Sequence, residues 1–278
     1  MTNSVNDAML MIYCFVDEFL KTHSVVAQWR HSPHAQPHFS DAEVLTSARL
    51  QGVLEVATLK QTSRVGVQKW RAAFPHLPSY QQGLARWHHR QPQVGQLWAS
   101  TCGHAPSAAR LYLLDSKPIP LCAPSRHGRV RLLRAEGAYC GKTSKGWFFG
   151  FKLPLLRHIS GRVLKIILTP GNWDDRDPAL ALGQTVDGGV TLGDLGYRGP
   201  ECATTLAEDA EMLLSTRARA PEHKFVLSQV RQGIETTFSQ LWWKFVDRVF
   251  SRSWQGLWNT IQLKVLFHNL GHAGVLTV

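Results

Sequence analysis

Leu111-Tyr112-Leu113-Leu114-Asp115 is a short apolar run that ends on an acid, and Gly189-Val190-Thr191-Leu192 leads in the same way through Gly193 into Asp194. Short apolar runs bounded by turn formers read as buried strands. Each of these two strands therefore delivers an aspartate to its C-terminal end. In α/β folds that end is where the chain leaves the packed core and exposes side chains, so sites are built there. Gly193 and Gly196 flank Asp194 and leave room for backbone and substrate to come close. Taken singly, either aspartate could equally be a turn residue or a helix cap, which are common uses of Asp.

Working outward, Trp147–Leu156 and Arg162–Leu168 read as two strands joined by a turn at Ser160-Gly161. Glu201–Ala210 fits a helix, and Glu211–Leu214 fits a further strand. A long helix is expected from Glu222 to Phe245, with Leu227, Val230, Ile234, Phe238, Leu241 and Phe245 on one apolar face. A last helix is expected from Trp254 to Leu270. This order predicts a mixed α/β domain with helices packed on a central sheet.

The long helix also carries a mostly polar stripe of Ser228, Arg231, Glu235, Ser239 and Trp242. Arg231 and Glu235 stand one turn apart, which by itself describes a surface ion pair as well as a functional one. Gly233 in a helix interior costs about 1 kcal/mol relative to Ala, so close packing against a neighbour is expected there.

Upstream, the first hundred residues read as helical. Ala8–Leu20 has apolar residues at helical spacing, and a His- and Pro-rich loop follows from His31 to His38. Ser40-Asp41-Ala42-Glu43 has the form of a capping box that opens a helix with Val44, Leu45, Ala48 and Val53 on its stripe. Further helices are expected near Val65–Phe74 and within Tyr80–Cys102. Short helices with surface Arg and Lys suit a helix-turn-helix-like DNA-binding unit, and they suit a plain supporting domain equally well. The predicted division is residues 1–105 as a helical N-terminal region and 106–278 as the catalytic domain.

The chain has 278 residues, 44% of them hydrophobic and 18% charged, which describes a folded protein and excludes a disordered one. Its formal net charge is +11, with +4 up to Arg110 and +7 beyond it. A folded protein with basic charge spread through its body commonly meets a polyanion, nucleic acid above all. The five cysteines lie far apart, with no Cys-x-x-Cys pair, and are expected to be free thiols. No apolar run approaches the ~18 residues of a membrane span, and no secretory signal pattern opens the sequence. A cytoplasmic, nucleoid-associated protein with no membrane partner is expected.

Three blocks of sequence carry a more specific likeness. The first is Leu114-Asp115-Ser116-x-Pro118-Ile119-Pro120. The second runs through Gly150-Phe151-Lys152-Leu153, Leu168-Thr169-Pro170-Gly171 and Gly193-Asp194-x-Gly196-Tyr197. The third is Arg231-x-x-x-Glu235-Thr236-Thr237-Phe238-Ser239-Gln240. In order and spacing the chain resembles the bacterial insertion-sequence DD-E transposases, whose catalytic core is ribonuclease-H-like. It departs from a related pattern in two places: Ser228 stands where a Tyr is common, and Trp242 where a Lys is common, with Lys244 nearby.

The resemblance implies that Asp115, Asp194 and Glu235 are the three catalytic acids and the ligands of two Mg²⁺ ions, with Mn²⁺ able to substitute. Carboxylates suit hard divalent ions, and an ion pair ~3.5–4 Å apart can activate a nucleophile and support a leaving oxygen at a phosphodiester. Arg231, Lys117, Lys152 and Lys244 are the residues expected to contact DNA. Element ends and target, both double-stranded DNA, would be the partners, held by a homodimer on DNA. Two rivals stand beside this reading: a stand-alone metal-dependent nuclease of the same core, and an inactive DNA-binding remnant acting as a repressor.

Other tempting residues have plainer readings. Asp174, Asp175 and Asp177 are expected in a solvated, capping loop, and Asp187-Gly188-Gly189 in a turn. His127, His158, His88 and His89 have no partner at metal-ligand spacing. The pairs Trp242-Trp243 and Trp254/Trp258 are expected in a core or an interface, with base stacking as the alternative.

Overall fold

The computed structural model describes residues 5–23, 37–54, 56, 58–102, 110–144, 146–197, 199–216, 232–241 and 251–276. The chain divides into two compact units: Met1–Thr101 with Gln255–Val278, and Cys102–Trp254.

The first unit is helical: α1 Val5–Thr22, α2 Asp41–Val53, α3 Leu59–Lys69, α4 Tyr80–His89 and α5 Gln91–Cys102. The expected capping box at Ser40 is present, with Glu43 reaching back to the Ser40 amide. Thr58 with Gln61, and Ser79 with Gln82, form two more boxes that start α3 and α4. Each satisfies orphan amide donors at a helix start. Asp41, in the first turn of α2, is buried and accepts from both Arg86 and Arg90 at 2.9 Å.

The last helix, α9 Trp254–His272, groups almost entirely with these helices, whereas the predicted boundary assigned residues 106–278 to one catalytic domain. The reason lies in its packing. Asn259 Nδ2 stands 2.7 Å from His88 Nδ1, and Asn269 Nδ2 donates to the Thr101 hydroxyl at 3.3 Å. Phe267 lies so close to Gly52 that a Cβ there would meet its ring at 2.7 Å. Helical periodicity alone does not reveal which partner a buried face will choose.

The second unit is the mixed α/β domain predicted from the order of elements. Its strands are β1 Leu111–Pro120, β2 Tyr139–Thr143, β3 Gly146–His158, β4 Val163–Ile166, β5 Thr169–Pro170, β6 Gly189–Gly193 and β7 Met212–Ser215. The sheet runs β2-β3-β1-β6-β7, with β4 and β5 also paired to β3. β1 is antiparallel to β3 and parallel to β6, and β6 is parallel to β7. Helices α6 Ala179–Gly183 and α7 Pro200–Ala210 bury Ala179, Leu182, Leu206 and Ala210 against Tyr112, Leu114, Leu156 and Met212. Residues 232–241 form a further helix, α8.

Two strands depart from the sequence reading. β1 does not end on Asp115 but continues through Pro118 and Pro120, pairing with Lys152 and Gly150. The strand expected at Arg162–Leu168 is the shorter β4, Val163–Ile166, and a separate β5 follows it at Thr169–Pro170. Prolines and glycines mark strand ends by propensity, and here pairing with the long β3 overrides them. The part of the expected helix Glu222–Phe245 that precedes 232 or follows 241 lies outside the described residues.

Candidate active site

In the parallel pairing of β1 with β6, Leu114 is the register partner of Gly193. The next residue on each chain is an aspartate, so Asp115 and Asp194 come side by side at the end of β6. Asp115 is half-buried and its Oδ1 accepts from the Ser116 amide at 2.7 Å. Asp194 is exposed, and its carbonyl accepts from the Tyr197 amide at 3.0 Å, which closes the turn after β6. The turn packs closely on Gly193, where a Cβ would stand 3.2 Å from the Tyr197 Cβ. Tyr197 is fully buried, and its hydroxyl is pushed well above the usual phenol range by burial first, then by the charges of Asp175, Asp115 and Asp194.

Glu235 stands on α8, outside the sheet. Successive residues of a strand alternate faces, so Leu113, Asp115 and Lys117 share one face of β1, opposite the face where Tyr112 and Leu114 meet α6 and α7. Arg157 is the register partner of Leu113 and shares its face. At Gly233 of α8, a Cβ would come 2.5 Å from Arg157 Nη1, and the Lys117 ammonium sits 5.5 Å from the centre of the Phe238 ring. Helix α8 therefore packs on the face of β1 that bears Asp115, and Glu235 falls between the two contacting residues in sequence. Ile234, Phe238 and Leu241 are buried as the apolar periodicity predicted, and Glu235 is exposed. Close packing, expected of a mid-helix glycine, is what Gly233 provides.

The three acids are not drawn into one tight cluster. Among the described residues no three His, Cys, Asp or Glu side chains stand together as a metal-binding group. The donor set still suits a hard divalent cation, since it is all carboxylate oxygen and two of its members are brought side by side by strand register.

The expected DNA contacts fare differently. Lys117 is half-buried and turned toward α8. Lys152 is engaged: its ammonium donates to Asp175 Oδ1 at 3.0 Å and to the Trp173 carbonyl at 2.8 Å. Only 14% of its side chain is exposed, and these two bonds tie it to the loop after β5. Arg231 and Lys244 lie outside the described residues, as do Ser228, Trp242 and Trp243.

The Asp174–Asp177 loop caps itself, as predicted, at two of its three acids. Asp174 takes two hydrogen bonds from the Arg176 guanidinium, at 2.9 and 2.7 Å, and these hold its carboxyl down near about 2. Asp177 accepts from the Asp174 amide. Asp175 is the exception. Besides pairing with Lys152, it lies 3.8 Å from where a Gly196 Cβ would be, beside the Asp194 turn. Nothing in the local sequence separates it from its neighbours, because its partner is more than twenty residues away. Arg157, buried against α8 with its pKa lowered by burial, was also missed, for the same reason.

Residues 106–241 match the family model of the transposase DDE domain. No curated protein and no solved structure matches the chain.

Proposed function

We propose that this chain, whose residues 106–241 match the transposase DDE domain, is the transposase of an insertion sequence, cutting DNA at the ends of its element and joining the freed 3′-ends to a target. The observation that supports this best is the register of Leu114 with Gly193, which sets Asp115 beside Asp194, while α8, which carries Glu235, packs on the face of β1 that bears Asp115. Asp115, Asp194 and Glu235 are the residues that would hold divalent ions, two Mg²⁺ in this reading, with Mn²⁺ as a substitute. Bound there, such ions supply a lowered pKa for the attacking hydroxyl and charge stabilisation for the departing oxygen.

The chain's own residues do the positioning. The Asp194–Tyr197 turn fixes the end of β6, and the Lys152–Asp175 pair holds the neighbouring loop against it. Lys117 offsets negative charge on the Asp115 face. Arg231 and Lys244 are proposed to meet phosphates, and residues 106–278 short of α9 to form the catalytic part. The helices of the first unit are proposed to bind element ends, two of which require a dimer on DNA.

The test is a strand-transfer assay on duplexes carrying the DNA that flanks the coding sequence, supplied uncut and pre-cut, with Mg²⁺ or Mn²⁺. Cleavage followed by joining of 3′-ends supports the proposal. Cleavage without joining, even from pre-cut ends, makes the chain a nuclease of the same core. Binding with neither reaction makes it a repressor-like remnant.

A further inference from the structure

Between Leu121 and Trp147 the sequence carries six basic residues and a single acid, Glu136. This stretch links β1 to β2 and includes the β2–β3 hairpin. Arg126, Arg129, Arg131 and Arg134 are all exposed, and none forms an ion pair among the described residues. The active-site acids leave this arginine cluster unexplained.

The loop is built to hold these charges in place. A short turn over Pro124–Arg126 is followed by amide bonds from Arg129 and Val130 to the Arg126 carbonyl. Leu121, Leu133 and Ala138 are buried and anchor it, and the Ala138 amide donates to the Leu133 carbonyl at 2.9 Å. Leu133 adopts a left-handed backbone, φ 57°, which is uncommon for a branched residue and persists here because its side chain is buried. The Arg134 guanidinium lies 5.3 Å over the Phe149 ring. On the adjoining hairpin, Trp147 is 62% exposed, with the Lys142 ammonium 5.7 Å from its ring centre.

We infer that this arginine loop and the Trp147 hairpin form a DNA-holding arm, in which Arg126, Arg129 and Arg131 grip the phosphate backbone and Trp147 stacks on an unpaired base. The inference rests on the proposed function and adds a location to it. Charge complementarity names the occupant: a surface with four exposed guanidiniums that form no ion pair among the described residues suits a polyanion, and an exposed indole among cations suits a base. The arm leaves the sheet at the same end as Asp194, because β1 runs on from Asp115 to Pro120 past the end of β6. Five strand residues span roughly 17 Å, and successive phosphates of one strand are about 3.4 Å apart along the duplex axis. The arm therefore meets DNA about five nucleotides from the phosphate at the aspartates.

The test compares the full chain with the triple variant Arg126→Gln, Arg129→Gln, Arg131→Gln on a labelled duplex of about 30 base pairs, by fluorescence anisotropy across salt concentrations. Each lost phosphate contact reduces the salt slope by about 0.9, so the triple variant should lose about 2 to 3 from it and bind at least tenfold more weakly at low salt. The matching Lys variant should recover most of the slope. Trp147→Ala should weaken binding of single-stranded oligothymidylate about tenfold while leaving the duplex nearly unaffected. Unchanged thermal unfolding of each variant establishes that only the surface was altered. A parent chain that binds no duplex at low salt overturns the proposed function. A parent that binds, with a triple variant of equal slope, overturns the arm alone, and equal oligothymidylate affinity removes Trp147 from it.

Discussion

The Lys152 ammonium donates to Asp175 Oδ1 at 3.0 Å and so ties β3 to the loop that follows β5, next to the turn that carries Asp194. Sequence motif alone suggested that this lysine reaches for phosphate. Its pairing with Asp175 predicts a positioning role instead. Lys152→Met is expected to slow cleavage about tenfold, with DNA affinity and its salt dependence nearly unaltered. Asp175→Asn should do the same, and the double variant should be little worse than either single one, as for residues acting as one unit. If Lys152→Met instead lowers the salt slope by about 1, the lysine contacts phosphate after all.

Asp115→Asn, Asp194→Asn and Glu235→Gln are each expected to reduce cleavage and joining by about a thousandfold, the scale of losing a main electrostatic contribution in a site. Duplex binding should persist, since each change removes a negative charge from the DNA-facing side. The cleavage rates of the three variants under saturating Mg²⁺ decide this. A Glu235→Gln enzyme with full activity would remove α8 from the chemistry and leave Asp175 as the next acid to test.

How far the site could be read in advance depended on whether its geometry was local. Asp115 and Asp194 were singled out because each follows a short apolar run, and their adjacency followed once β1 and β6 paired in parallel. Ile234, Phe238 and Leu241 were legible through helical periodicity. The Lys152–Asp175 pair was not, because only strand pairing brings residues of β3 to the loop after β5. β2 was also missed: Tyr139–Thr143 is short, half-exposed and interrupted by Gly141, and it is a strand because β3 pairs with it. Gly141 sits so close to the Gly171 carbonyl that no side chain fits. A lone glycine in a polar run gives no hint of such contact.

That contact provides a stability test away from the carboxylates. Gly141→Val must drive β2 away from the Gly171 backbone, which cannot yield as a flexible side chain can. A loss of about 2 to 3 kcal/mol is expected, in the range for overpacking a tight site, measured by denaturant unfolding. Gly95→Ala, where nothing lies within 4 Å of the added carbon, serves as the control. At a helical position it should be neutral or stabilise by up to about 1 kcal/mol.

Arg49 offers the last test, in the helical unit. Its side chain is fully buried on α2, with Nη1 donating to the Leu45 carbonyl at 2.7 Å while Nε and Nη2 have no hydrogen-bond partner among the described residues. Burial pulls its pKa down to about 9. The guanidinium is still charged at neutral pH, so folding there carries the cost of an under-solvated charge. Between pH 9 and the ordinary arginine range the unfolded chain holds more protons than the folded one, so stability should rise with pH in that window. Arg49→Met removes the charge and keeps the volume. It is expected to stabilise the protein by about 1 to 4 kcal/mol at pH 7, as replacement of buried charge by packed apolar groups often does, and to flatten the rise above pH 9. Thermal unfolding of both proteins from pH 7 to 10.5 reads this out. A destabilised Arg49→Met protein would show instead that the guanidinium is held for a contact that its burial stabilises.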